Sequence, residues 1–124
     1  MPTLIAVVDD DQRILQSLEI LLESDGYAVR LFSSAAALLE TPCLGQIACV
    51  ISDINMPLVD GLELSRLLQI ARPGLPIILI TGHPEMLDRA QPPSRYRVLT
   101  KPFNPNELLA AINDILCNPP LPRS

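Results

Sequence analysis

The sequence predicts an α/β protein, a doubly wound five-stranded parallel sheet in the order 2-1-3-4-5 with helices on both faces. Three features predict it. Five short apolar runs alternate with amphipathic stretches over 124 residues. The runs are nearly unbroken in Val, Ile and Leu, as strands covered on both faces must be. Four of the five stop at a polar residue, and parallel strands bring such residues to one edge of a sheet. A five-stranded chain of this length fits the flavodoxin-like version of the fold.

The elements follow in order. Leu4-Ile5-Ala6-Val7-Val8 is the first strand. Asp11 can cap a helix whose Ile14, Leu15, Leu18, Leu21 and Leu22 share one face, and Gly26 suits its stop. Tyr27 to Phe32 reads as the second strand. Ser33 or Ser34 caps a short helix that ends before Pro42. The third strand is Ile47 to Ser52, ending at Asp53. After a loop containing Pro57, Asp60 or Gly61 opens a helix with Leu62, Leu64, Leu67, Leu68 and Ile70, stopped at Arg72-Pro73-Gly74. Pro76 to Ile80 is the fourth strand, ending at Thr81-Gly82. From Pro84 to Ser94 the helical signal is weak, and a short or irregular fourth helix is expected. Tyr96 to Thr100 is the fifth strand, ending at Lys101-Pro102. The last helix has Asn104 as cap, Pro105 at its first position and Glu107 placed to reach back. One domain over 1–118 is expected, with 119–124 as a proline-rich tail or linker stub.

Composition removes several function classes. With 48% hydrophobic residues the chain can bury a core, and 19% charged residues with a net charge of −5 argue against disorder. Nine basic against fourteen acidic side chains leave no stripe for direct nucleic-acid contact. No apolar run is long enough to cross a membrane and no signal peptide is visible, so a cytoplasmic location is expected. Cys43, Cys49 and Cys117 fit neither a zinc pattern nor a disulfide framework and read as small buried apolar residues.

The chemistry gathers at the strand ends. Strand 1 ends in Asp9-Asp10, strand 3 in Asp53, strand 4 in Thr81 and strand 5 in Lys101, the only lysine of the chain. Strands 1, 3, 4 and 5 are consecutive neighbours in the predicted order, about 4.8 Å apart. Three carboxylates, one hydroxyl and one ammonium therefore converge within roughly 10 Å. Three carboxylates against one lysine leave a net −2, which a divalent cation would cancel. Oxygen donors with no His or Cys beside them favour Mg²⁺. Such a set suits phosphoryl chemistry, with Asp53 as nucleophile and Lys101 and Thr81 holding phosphoryl oxygens. An isolated Asp after a strand is usually a cap or turn residue. Four neighbouring strands each delivering a suitable group weaken that explanation.

These residues resemble the receiver (response-regulator) domain of bacterial two-component signalling. The matching motifs are Val7-Val8-Asp9-Asp10-Asp11, Ile51-Ser52-Asp53-Ile54-Asn55-Met56-Pro57 with Asp60-Gly61, Ile80-Thr81-Gly82 and Thr100-Lys101-Pro102-Phe103. The resemblance runs from the first strand through the last helix, nearly the whole chain. The resemblance implies that Asp53 accepts a phosphoryl group from a histidine kinase or phosphotransfer protein. It implies Asp10 and Asp53 as direct Mg²⁺ ligands, the Asn55 backbone carbonyl as a third, and Asp9 acting through water. Thr81 and Lys101 would bind the phosphoryl group, with Gly82, Pro57, Gly61 and Pro102 in support. The result would be a phosphoacceptor that alters binding to a downstream partner and converts no free metabolite. A homodimer formed on phosphorylation is allowed for. His83 reads as a bystander near the site mouth.

Two departures stand out. The family usually has an aromatic residue three before the lysine, and here Val98 stands there. The Thr81-to-Lys101 interval is 20 residues and contains Pro92-Pro93. Both touch the region that would report phosphorylation. They leave room for a degenerate interaction module that signals without it. A Mg²⁺ phosphatase of the haloacid dehalogenase type also uses an Asp nucleophile, but it wants an acid two residues on, where Asn55 stands. A flavin-binding protein would need phosphate-binding N–H groups where the first loop is acidic.

Overall fold

The computed structural model describes residues 3–53, 61–82, 96–101 and 104–117. The strands are β1 Leu4–Val8, β2 Ala28–Phe32, β3 Cys49–Asp53, β4 Ile77–Thr81 and β5 Tyr96–Thr100. The helices are α1 Gln12–Ser24, α2 Ala35–Leu39, α3 Gly61–Ala71 and α4 Pro105–Cys117, with a 3₁₀ turn at Leu44–Gln46. The sheet runs β2-β1-β3-β4-β5, and every adjacent pair is parallel. The predicted order is the observed one. The helix expected between 84 and 94 and the tail from 119 lie outside the described residues.

The unbroken apolar runs have a direct cause. Alternate strand residues point to opposite faces, and both faces are covered. Ile5, Val7, Cys49, Ile51, Ile78 and Ile80 join Leu15, Leu18 and Leu22 of α1 and Leu108, Ala111, Ile112 and Ile115 of α4 in one buried layer. Ala6, Val8, Val50, Ile77 and Leu79 join Ala35 and Leu38 of α2, Leu64 and Leu68 of α3, and Ile47 and Leu75 in the other. The rim strands are less covered, and each carries an exposed arginine, Arg30 on β2 and Arg97 on β5.

Helix ends follow local chemistry. The Asp11 side chain accepts from the Arg13 N–H at 2.9 Å and caps α1. At the other end Gly26, with φ +93°, takes the left-handed turn. Its N–H donates to the Glu23 carbonyl, and the Tyr27 N–H donates to that of Leu22. This paired closure spends Tyr27 on the turn, so β2 begins one residue later than the sequence suggests. Ser34, not Ser33, caps α2. Asn104 and Glu107 cap α4 reciprocally: the Glu107 N–H donates to Asn104 Oδ1 and the Asn104 N–H to Glu107 Oε1.

Other boundaries and exposures shift. Ile47 closes the 3₁₀ turn through its N–H to the Leu44 carbonyl, so β3 starts at Cys49. The Arg72 guanidinium, at the end of α3, donates to the carbonyls of Leu44 and Ile47 and ties that helix to the turn before β3. Ile70 is 79% exposed, off the stripe that buries Leu64 and Leu68. Of the cysteines only Cys49 is buried; Cys43 is half-buried and Cys117 is exposed. Cys117 lies two positions past Ile115, the last buried residue of α4, and two positions turn a helix about 200°.

Candidate functional site

The site lies at the C-terminal edge of the sheet. The Asp9 N–H donates to the Phe32 carbonyl at 3.1 Å, extending the β1–β2 ladder one residue beyond β1. This anchors Asp9 where the chain leaves the sheet, and its side chain is buried. One of its carboxyl oxygens accepts the Asp11 N–H at 2.9 Å. Asp10, next in the chain, is exposed.

Asp53 is the last residue of β3 and is buried. It pairs with Ile80 of β4 in the parallel register. Thr81 ends β4, is buried, and pairs with Thr100 of β5. The Lys101 N–H donates to the Thr81 carbonyl at 2.7 Å, carrying the β4–β5 ladder one step further. From there the lysine side chain reaches past the end of β4 to Asp53, and Nζ donates to Oδ2 at 2.9 Å. The Lys101 side chain is 40% exposed and that of Asp53 8%, so the pair sits at the mouth of the edge with its anionic partner sheltered.

Electrostatics link Asp9 to this pair. Burial pushes the Asp9 carboxyl up to about 6. The Asp53 charge and a side-chain hydrogen bond with Asp10 add to the rise, while the Asp11 N–H and the Lys101 charge oppose it. Asp9, Asp53 and Lys101 are therefore coupled at this edge, with Thr81 on the strand between Asp53 and Lys101 and the exposed Asp10 next to Asp9. One ammonium does not balance these carboxylates, and each lost water makes the remaining charge dearer.

The donor set suits a hard divalent cation. It consists of carboxylate oxygens, and Mg²⁺ is held by as few as one or two of these with its other positions filled by water and phosphate. Among the described residues no group of three or more ligating side chains stands ready for a metal ion. Asn55, Pro57, Pro102 and His83 lie outside the described residues. Gly61 opens α3. A Cβ built on Gly82 meets no described atom within 4 Å. Val98 sits half-buried in β5, one residue beyond the exposed Arg97, which pairs with Asp114 of α4.

Two contacts escaped the sequence reading. Ser52 is a fully buried serine whose hydroxyl donates to the Asp53 carbonyl at 3.0 Å. Its polarity inside an apolar run was the available signal. The Arg72 bridge had none, since its acceptors are main-chain carbonyls 25 and 28 residues away.

Comparison with known proteins gives one consistent picture. The family described as "Response regulator receiver domain" matches residues 5–113. Response regulator protein TmoT of Ectopseudomonas mendocina is 39% identical over 118 residues, 92% of this chain and 53% of that protein. Transcriptional regulatory protein FixJ of Bradyrhizobium diazoefficiens is 35% identical over 114 residues, 90% of this chain and 56% of its own. The chain thus spans about half the length of these relatives. Among solved structures, a putative response regulator from Chloroflexus aurantiacus superposes with TM-score 0.85 at 28% identity, covering 95% of this chain and all of that one. Chemotaxis protein CheY4 of Vibrio cholerae superposes with TM-score 0.82 at 27% identity, covering 94% and 100%.

Proposed function

This chain belongs to the response regulator receiver family, and we propose that it is a phosphorylatable receiver in which Asp53 accepts the phosphoryl group. Receivers of two-component systems exchange signals with histidine kinases or phosphotransfer proteins, and this fold is a signalling fold rather than that of a catalytic family. The observation that carries the finer reading is the reach of Lys101 Nζ to Asp53 Oδ2 at 2.9 Å, beside the buried Asp9.

In the proposed step an Asp53 carboxylate oxygen attacks the phosphorus of a phosphohistidine on the partner. The new O–P bond forms as the P–N bond breaks, and the imidazole leaves. Lys101 holds Asp53 in place and then pairs with a phosphoryl oxygen. Thr81 offers its hydroxyl from the strand between them. Asp10, Asp53 and the Asn55 carbonyl would hold Mg²⁺, with Asp9 acting through water. The cation would neutralise charge building on the phosphoryl oxygens. Water later hydrolyses the acyl phosphate and resets the domain.

The receiver unit is assigned to 1–118, working in the cytoplasm, where its kinase partners deliver phosphate. Among the described residues no helix is long and apolar enough to cross a membrane. The test is incubation with acetyl phosphate or phosphoramidate and Mg²⁺, read by intact mass. One added phosphoryl group is expected on the wild-type chain and none on Asp53→Asn. An adduct that survives that substitution would refute the assignment of the acceptor.

A second reading is a receiver fold that binds partners without phosphorylation. The half-buried Val98, where an aromatic side chain would swing, favours it. Titration with Mg²⁺ followed by NMR separates the two, because a degenerate site gives no saturable shift at the residues around Asp53.

A further inference from the structure

We infer that Ser52 is a positioning residue for the phosphoacceptor, an inference that rests on Asp53 being the acceptor. Ser52 is fully buried. In β3 it follows Cys49, Val50 and Ile51, all fully buried and without charge. Its cross-strand partners are Val8 of β1 and Leu79 of β4, neither of which has a polar side chain. A hydroxyl taken out of water must find an acceptor. This one turns to the carbonyl of the next residue, Asp53, at 3.0 Å.

That carbonyl belongs to the peptide unit through which the chain leaves β3. Anchoring it restrains the last backbone rotation of Asp53, the final residue of β3. The same residue's carboxylate is held from the other side by Lys101 at 2.9 Å. Asp53 is therefore gripped twice, by its main chain and by its side chain. Alternation along the strand puts the Ser52 and Asp53 side chains on opposite faces, so Ser52 acts on the acceptor through the backbone alone. An alanine would fill nearly the same space and leave the sheet register intact. What the hydroxyl adds is restraint on a group that must meet phosphorus at attack distance, where small misplacements slow a reaction steeply.

The experiment compares wild type, Ser52→Ala, Ser52→Thr and Ser52→Cys as full chains. Circular dichroism checks the fold. Acetyl phosphate dependence at saturating Mg²⁺ separates the limiting rate from apparent donor affinity. Mg²⁺ affinity is measured by NMR titration without any phosphodonor. The alanine chain should fold and show a limiting rate lower by about fivefold or more, with donor affinity changed little. The threonine chain, which keeps the hydroxyl, should recover most of that rate. If the alanine chain does not fold, the cysteine chain, similar in volume and a poor donor, should show the same loss. A wild-type limiting rate and Mg²⁺ affinity in the alanine or cysteine chain overturns the inference. So does a threonine chain that folds and is as slow as alanine, because the loss would then follow packing. A wild-type chain that takes up no phosphoryl group removes the Asp53 reading and this inference together. A wild-type chain that is modified while alanine matches it removes the inference alone.

Discussion

The ammonium of Lys101 meets the carboxylate of Asp53 at 2.9 Å across the end of an intervening strand, although 48 residues separate them in the chain. The parallel order β3-β4-β5 makes this possible, because it stacks the three strand ends side by side. The contact ties the fold to the chemistry: a change that slips β5 along β4 would move the amine away from the acid. Replacing Lys101 with Met should lower the rate of phosphorylation by acetyl phosphate roughly 10–100-fold, the worth of one charge-assisted hydrogen bond. A time course by intact mass at fixed Mg²⁺ checks this, and an unchanged rate would remove the lysine from the mechanism.

Stability without divalent cations should fall as pH rises from about 4 to 6. The Asp9 carboxyl is raised to about 6 in the folded chain from an ordinary 3.8. Inside that window the native state keeps a proton that the unfolded chain has lost, so rising pH favours unfolding. The effect is bounded at about 3 kcal/mol, and Asp9→Asn should abolish this part of the slope. Urea unfolding of both chains at pH 4, 5, 6 and 7 measures the difference. Parallel curves for the two chains would contradict the raised carboxyl.

Arg72→Met should destabilise the chain by about 1–3 kcal/mol, because the Leu44 and Ile47 carbonyls lose their donor together. The phosphorylation rate should stay near wild type, since Arg72 bonds to the turn before β3 begins, at the opposite end of that strand from Asp53. Thermal unfolding and the phosphorylation time course give the two readouts separately.

Thiol labelling should rank the cysteines by burial. Cys117 is exposed and Cys43 half-buried, whereas Cys49 is buried with its thiol pushed up to about 12 by burial. Iodoacetamide under native conditions should modify Cys117 first and leave Cys49 untouched until denaturant is added. Peptide mass mapping after short exposures reads the order. Early modification of Cys49 would mean that the β3 layer opens readily.

Much of this was legible because it depends on periodicity and local chemistry. The five strands, their order and the Asn104–Glu107 cap follow from apolar runs, crossover handedness and capping rules, and the structure bears them out. The strand ends placed Asp9, Asp53, Thr81 and Lys101 on one edge, and the structure brings Asp53 and Lys101 into contact. What stayed hidden depends on the third dimension. That Asp9 is buried while its neighbour Asp10 is exposed depends on where the chain leaves the sheet, and two adjacent aspartates look alike in a sequence. Arg72 bonds to main-chain carbonyls, which carry no residue identity. The exposure of Cys117 follows from the phase of α4, since a small apolar residue near a helix end reads the same on either side.

The arginines at Arg30 and Arg97 bear on how this sheet survives in a crowded solution. A rim strand is where a stray polypeptide adds itself to a sheet. A newcomer adding itself to either rim would have to lie beside a charged side chain at mid-strand, Arg30 on β2 or Arg97, paired with Asp114, on β5. Exposed charge at mid-strand on both rims disfavours the addition of a further strand.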